Sequence, residues 1–449
     1  MLAVASVSTV HALEPAKDRI VVVMSVDGLA HYYFDDPKAE MPNIRALAAE
    51  GARARRMECS LPTVTWPNHT TLVTGVAPAK HGVLGNSYFD RAEQKSVGLI
   101  LDPIYEKEEL VKTPTAYDVA HRAGLKTAAI LWPASRGAKT LDWTVPDAGT
   151  NAMWEKSGTP ELLKEAREAG IPVDQQEAWV KSGDGVSRDR MYTQMFDLVL
   201  QKHRPNLAYL HIIDVDHMEH VKGPQSPEAY AAVKQADEHV GEVWTELKKD
   251  FAGKATFIVT ADHGFFPYQQ FIQPNVLLAK SGLLTAVGGK ITGGRVRSYS
   301  QGGAAFIYVL DQAHRDELIQ QAADLLKGVE GISLVIRPSE FAAHGLASPQ
   351  KDARIGDLVI TAKSGYMFSD VAGGDDVVTP KFEAVRGAHG YDPVEPGMHA
   401  TFVAWGVGIR PGVVLDDIKN MDVAPTTAAL LGLEIPGVDG HVLDAILQK

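Results

Sequence analysis

One cysteine in 449 residues is the first scarcity of this sequence. A lone Cys59 excludes an intrachain disulfide framework and any thiolate zinc cluster, and with no basic neighbour in sequence to stabilise its thiolate it reads as a small buried filler. Cations are also short: 44 Lys and Arg stand against 56 Asp and Glu, a formal charge of −12. That balance argues against binding to a nucleic-acid backbone as the main task. It leaves small phosphorylated substrates open, because a bound metal ion overrides the field of the whole protein locally. Apolar runs of the roughly 18 to 20 residues needed to cross a bilayer are missing too, so no membrane span is expected.

The opening "MLAVASVSTVHALEPAKD" is apolar and ends near Val10-His11-Ala12, a small-x-small pattern like a signal-peptidase site, but it lacks a basic start. Residues 1–18 read as a signal-peptide remnant or an N-terminal arm, and export would place the protein in the periplasm or outside. With 45% hydrophobic residues the chain has ample material for a large core. No internal repeat and no low-complexity segment interrupts it.

Short, near-continuous apolar runs recur at "RIVVVMSV" (19–26), "KTAAILW" (126–132), "LAYLHII" (207–213), "ATFIVTA" (255–261) and "TFVAWGV" (401–407). Each suits a parallel strand covered on both faces. Helical patterns lie between them, among them "MPNIRALAAEGARA" and the long segment opened by Ser226 as N-cap and Pro227 at the first helical position. The alternation predicts an α/β fold, a doubly wound and mostly parallel sheet with helices on both faces. From 266 to 384 the pattern changes to strand, helix, strand with Gly-rich turns, and we read a smaller inserted α+β subdomain capping a core of 19–265 and 385–449.

In such sheets ligands bind beyond the C-terminal ends of the strands. Asp27-Gly28 follows the first run; Asp214, Asp216, His217 and His220 follow the third; Asp262-His263-Gly264 follows the fourth; His389-Gly390 precedes the last. Several carboxylates and imidazoles at one end of one sheet repel or stay unsatisfied without a cation. Three Asp and three His fit a pair of divalent ions, and imidazole plus carboxylate without thiolate suits zinc. Asp216 and His220, four apart, share one face of a helical turn. Two such ions serve in-line displacement at phosphorus, with a metal-activated water or a side-chain oxygen as nucleophile. The segment "CSLPTVTWPNHTTLVTG" (59–75), with five threonines and one serine, supplies hydroxyl candidates.

"VDGL" (26–29), "PTVTWPNHTTLVTGVAPAKHGVLGN" (62–86), "DHMEHVKGP" (216–224), "TADHGF" (260–265) and "GAHGYD" (387–392) resemble, in order, the signature blocks of the nucleotide pyrophosphatase/phosphodiesterase family of the alkaline phosphatase superfamily. The resemblance implies that Thr65 is the nucleophile and a metal ligand. It places Asp27, Asp262 and His263 with Thr65 around one zinc, and Asp216, His220 and His389 around the other. Asn86 would donate to a non-bridging phosphoryl oxygen. His69 takes a structural role, while His217 and Glu219 have no assigned counterpart and read as supporting or solvent-facing.

Trp66 stands where most family members carry Phe, so the resemblance implies an aromatic wall for a nucleobase or leaving group. "WPAS" (132–135) resembles the family's "WPGS" block, but Arg136 replaces the usual acidic residue. "SRGA" resembles instead the segment of threonine-dependent alkaline phosphatases in which a Lys-x-Arg pair clamps phosphoryl oxygens; Ala134 occupies the Lys position, so half of that clamp is absent. An inward Arg136 would favour dianionic monoesters. The expected activity is therefore cleavage of phosphodiester or pyrophosphate bonds in nucleotide-like or aryl substrates through a phospho-threonine. The alternative is a phosphomonoesterase or phosphonate hydrolase on the same site. "CSLPTV" lacks the spacing and the Arg of the sulfatase Cys-x-Pro-x-Arg context, and a catalytically dead binding module would have lost metal positions that are all filled here.

Overall fold

A computed structural model describes residues 16–100 and 104–448; of the leader reading for 1–18, residues 1–15 lie outside the described residues. The central sheet has eight strands in the order Val413–Lys419, Ala52–Glu58, Phe402–Gly406, Ala255–Thr260, Ile20–Val26, Leu207–Ile212, Thr127–Trp132 and Trp143–Pro146. Neighbours run parallel except at Phe402–Gly406, which is antiparallel to both of its partners. The strands Ile20–Val26, Leu207–Ile212 and Ala255–Thr260 are buried at every position, as expected for strands covered by helices on both faces. Helices Pro42–Glu50, Gly185–His203 and Pro227–Asp250 pack with one another over the sheet, and Thr65–Thr74, Ala116–Arg122 and Val423–Leu430 form a second group. Ser226 caps the longest helix, its side chain accepting from the Ala229 N–H, with Pro227 at the first turn.

All five apolar runs form strands of this sheet, and three of its strands, Ala52–Glu58, Trp143–Pro146 and Val413–Lys419, lay hidden. The helix expected through Ala54 stops at Glu50, and Ala52–Glu58 enters the sheet instead. Its Arg53, Arg55, Arg56 and Glu58 obscure the strand pattern because one face of this strand, and much of the edge strand Val413–Lys419 beside it, is exposed. The charges pair across the two strands, Arg56 with Asp417 at 2.7 Å. The antiparallel course of Phe402–Gly406 was also not legible, since burial on both faces does not fix direction.

A second apolar cluster gathers residues from Tyr268 to Met398. It underlies an antiparallel sheet of Val296–Gln301, Ala304–Val309, Leu358–Ala362 and Ile332–Ile336, with helix Arg315–Leu326 against it. A three-stranded sheet of Gly365–Phe368, Phe266–Ile272 and Arg386–Ala388 leads back toward the core. No helix among the described residues is long and apolar enough to cross a membrane.

Candidate metal centre

Asp27 directly follows the strand Ile20–Val26, and Asp262 and His263 follow Ala255–Thr260. These two strands are parallel neighbours, so their ends deliver both carboxylates to one place. The intervening Gly28 holds φ +74°, and a Cβ there would lie 2.8 Å from Phe265 Cε2; its N–H donates to Asp262 Oδ1 at 3.1 Å. Ligand atoms of Asp27, Asp262 and His263 all lie within 4.8 Å of one another. His263 Nε2 is 3.5 Å from Asp27 Oδ1 and 3.2 Å from Asp262 Oδ2.

Asp216 and His220 sit on the helix Asp214–Lys222, which starts at the end of Leu207–Ile212. The four-residue spacing does bring them together, His220 Nε2 standing 3.4 Å from Asp216 Oδ1. His389 Nε2 reaches the same oxygen at 3.6 Å. His220 Nδ1 donates to Gly387 O and His389 Nδ1 to Thr63 O, an arrangement that fixes the tautomer and leaves each Nε2 bare. Asp216, His263 and His389 form a second group within 4.8 Å. His263, expected with Asp27, Asp262 and Thr65, belongs to both groups, its ring stacked on His389 at 3.8 Å.

The buried atoms Asp27 Oδ1, Asp216 Oδ1, Asp262 Oδ2 and both ring nitrogens of His263 have no hydrogen-bond partner. Burial, together with the negative charges of Asp262 and Asp216, pushes the Asp27 carboxyl well above its usual range. Burial also holds His389 and His263 toward the neutral form. Bare carboxylate oxygens and neutral imidazoles crowded this way are what divalent cations satisfy, so the residues present fit metal ions.

Thr65 opens the helix Thr65–Thr74, with Val64 as N-cap. His69, one turn on, donates from Nδ1 to Thr65 O at 2.9 Å, and the same nitrogen is 3.4 Å from Asp262 Oδ2. Thr65 is thereby held beside the Asp27 group, at a helix N-terminus where the backbone dipole favours an anion. Asn86 Oδ1 accepts from the Trp66 N–H at 2.8 Å, so its amide NH2 is left to donate.

One expectation needs correction. Trp66 presents no wall: the ring is 1% exposed, packs among Val83, Tyr88, Leu99 and Leu110, and donates from Nε1 to Asp147 Oδ2 at 2.9 Å. Burying an indole in apolar surroundings with its N–H satisfied is the more favourable placement. Arg136, whose direction the sequence left open, is buried, and its Nη2 lies 3.0 Å from Glu106 Oε1. His217 and Glu219 part company: His217 is partly exposed, whereas Glu219 is fully buried with Tyr33 donating to Oε1 at 2.7 Å.

Three supporting residues escaped the sequence reading. His211, in the strand Leu207–Ile212, stands 3.1 Å from Asp27 Oδ2. Asp189 accepts the N–H groups of Ile213 and Asp214 and so anchors the start of the helix bearing Asp216 and His220. Asp147 receives the Trp66 indole. A histidine within an apolar strand was the one available signal; for the two carboxylates the sequence carried none.

Three carboxylates and two imidazoles beside the strand ends of a mostly parallel α/β sheet, joined by His389 after Arg386–Ala388 of the three-stranded sheet, compose a donor set of the kind metal-dependent hydrolases carry. The chain belongs to the type I phosphodiesterase/nucleotide pyrophosphatase family, whose model matches residues 21–392, and is a hydrolase of that type. An uncharacterised pyrophosphatase/phosphodiesterase of Schizosaccharomyces pombe is 25% identical to it, over 95% of this chain and 77% of that protein. Ectonucleotide pyrophosphatase/phosphodiesterase family member 5 of Homo sapiens is 23% identical, over 96% and 78%. The fold matches murine ectonucleotide pyrophosphatase/phosphodiesterase 5, solved as an inactive threonine-to-alanine variant in complex with AMP, with a TM-score of 0.70, 20% identity and coverage of 96% of this chain and 100% of that one.

Proposed function

We propose that this chain cleaves phosphodiester or pyrophosphate bonds of nucleotide-like or aryl substrates through a covalent phospho-threonine on Thr65, with two zinc ions as cofactors. The observation that carries this reading is the convergence of bare, buried Asp27, Asp262, Asp216 and His263 atoms, grouped with His389, beside the helix N-terminus that bears Thr65. Asp27, Asp262, His263 and Thr65 would hold one ion, and Asp216, His220 and His389 the other. Bound divalent ions supply the positive charge that favours an ionised hydroxyl and offsets charge on the entering and leaving oxygens.

Thr65 Oγ, its proton lost to solvent, forms a bond to phosphorus as the bond to the leaving oxygen breaks and its electron pair departs with the alcohol or phosphate, which takes a proton from water. Asn86 donates to a non-bridging oxygen. His69, bonded to Thr65 O, fixes the first turn of the helix so that the hydroxyl keeps its place. Water then attacks phosphorus, the threonine bond breaks, and the hydroxyl is restored. The inactive threonine-to-alanine form of the murine relative with AMP supports both the nucleophile and a nucleotide-like substrate. Residues 266–384 are proposed as the cap over a core of 19–265 and 385–449, and an exported, periplasmic or secreted, location accords with the leader-like start.

The phosphomonoesterase or phosphonate hydrolase alternative uses the same site; Arg136, which bears on it, has its Nη2 3.0 Å from Glu106 Oε1. Initial rates on a diester and a monoester of 4-nitrophenol test the choice. The diester should be the faster; a monoester rate tenfold higher contradicts the proposal. EDTA should abolish activity and zinc should restore it, whereas recovery with another ion alone would replace the cofactor.

A further inference from the structure

Two imidazoles of the Asp216 group are fixed by one short segment, residues 387–391. His389 stands on it, and Gly387 O accepts from His220 Nδ1 at 3.1 Å. Ala388 and Tyr391, on either side of His389, are buried in the second apolar cluster with Ile307, Leu358 and Ile360 of the inserted sheet, and not in the core around the eight-stranded sheet. Tyr391 Oη also donates to Tyr366 O at 2.7 Å. The segment is thus folded with the inserted region, although it lies beyond residue 384. Asp27 and Asp262, by contrast, follow core strands directly.

A hairpin turn of the inserted region rests on this segment. Gln301 pairs with Ala304 at the end of the hairpin Val296–Gln301 and Ala304–Val309, and between them the Gly303 N–H donates to His389 O at 2.7 Å. Gly302 holds φ +80°, and a Cβ on it would lie 2.5 Å from His389 O; one on Gly303 would lie 2.3 Å from the Tyr391 ring. Only glycines allow this approach. From the other side Thr63, two residues before Thr65, grips the same segment. Its carbonyl accepts from His389 Nδ1 at 3.0 Å and from the Gly390 N–H at 2.9 Å, and its hydroxyl donates to Tyr391 O at 3.0 Å.

We propose, resting on the two-ion reading with His389 as a ligand, that the Gly302-Gly303 turn is a positioning element of the metal centre. It presses the segment 387–391 onto Thr63 and so aims Nε2 of both His220 and His389 at Asp216. Groups that orient a ligand imidazole in this way typically account for about 10- to 100-fold in metal affinity. The inserted region therefore supplies part of the centre as well as covering it. By linkage, docking of the hairpin tightens binding of the ion held by Asp216, His220 and His389, and that ion holds the hairpin docked by the same factor. The carboxylates of the Asp27 group are backed by His69 and His211 of the core, so this group depends on the turn only through His263.

The test is a zinc competition titration against a chromophoric chelator, in which His389→Ala identifies the equivalent that His389 holds. Gly303→Ala should weaken that equivalent by about tenfold or more and leave the other within about twofold. Gly303→Ala/Tyr391→Ala, which removes the ring that the new methyl meets, should match Tyr391→Ala alone. Gly293→Ala, also in the inserted region but with nothing within 4 Å of the added methyl, should match the wild type. Amide hydrogen exchange reads the reciprocal effect on the unaltered chain. Zinc should slow exchange in the hairpin of Val296–Gln301 and Ala304–Val309 about tenfold more than in the hairpin of Leu284–Val287 and Lys290–Gly294. Wild-type affinities in Gly303→Ala, equal weakening of both equivalents, a double variant weaker than Tyr391→Ala, or equal slowing of the two hairpins each overturn the proposal. Wild-type affinities in His389→Ala would instead refute the ligand assignment beneath it, an outcome distinct from a silent Gly303→Ala beside an impaired His389→Ala.

Discussion

His211 Nε2 stands 3.1 Å from Asp27 Oδ2, and its other ring nitrogen donates to Leu131 O at 3.1 Å. Its ring lies 4.2 Å from that of His69, which is 3.4 Å from Asp262 Oδ2. Each carboxylate of the Asp27 group is thus backed by an imidazole, and the two imidazoles brace each other. Outer partners of this kind orient ligands and typically account for about 10- to 100-fold in metal affinity.

His211→Phe should therefore weaken binding of one zinc equivalent by about 10- to 100-fold while leaving the other unchanged. A competition titration against a chromophoric chelator measures both equivalents. Two affinities equal to the wild type would show that His211 does not position Asp27.

Trp66 acts as a buried plug. Trp66→Ala should cost about 3 to 5 kcal/mol of stability, read as a lower Tm, whereas Trp66→Phe should leave KM for a nucleotide ester within twofold. A tenfold rise in KM for Trp66→Phe at unchanged Tm would restore the stacking wall expected from sequence.

Asp197 supplies a pH signature away from the centre. Burial, then the charges of Glu242 and Glu246, pushes its carboxyl up to about 7 from 3.8. A group raised in the folded state contributes stability that is complete below about 3.8 and lost as pH rises toward about 7. Asp197→Asn keeps the neutral form at every pH, so its Tm should match the wild type near pH 4 and exceed it by about 2 to 5 °C above pH 7. A difference that does not vary with pH contradicts this placement of the charge.

Much of the centre was legible because it follows strand ends. Asp27, Asp262 and His263 each come directly after a continuous apolar run, and Asp216 and His220 carry a helical spacing, so periodicity alone placed them at one end of the sheet. What escaped depends on partners distant in sequence. His211 looks like any residue of an apolar strand until Asp27 is set beside it. Trp66 is buried by Tyr88, Leu99 and Leu110, and Arg136 meets Glu106, contacts that no local pattern announces. The strand Ala52–Glu58 failed for the opposite reason: its charges are satisfied across the sheet edge, which hid its alternation.

Covalent trapping tests the central claim most directly. Enzyme mixed with a 4-nitrophenyl diester, quenched in acid within one turnover and digested, should carry a phosphoryl ester adduct on the peptide containing Thr65. Thr65→Ala should bind about two zinc equivalents, release no 4-nitrophenol and carry no adduct. An adduct on another residue, or sustained turnover by Thr65→Ala, would contradict the account.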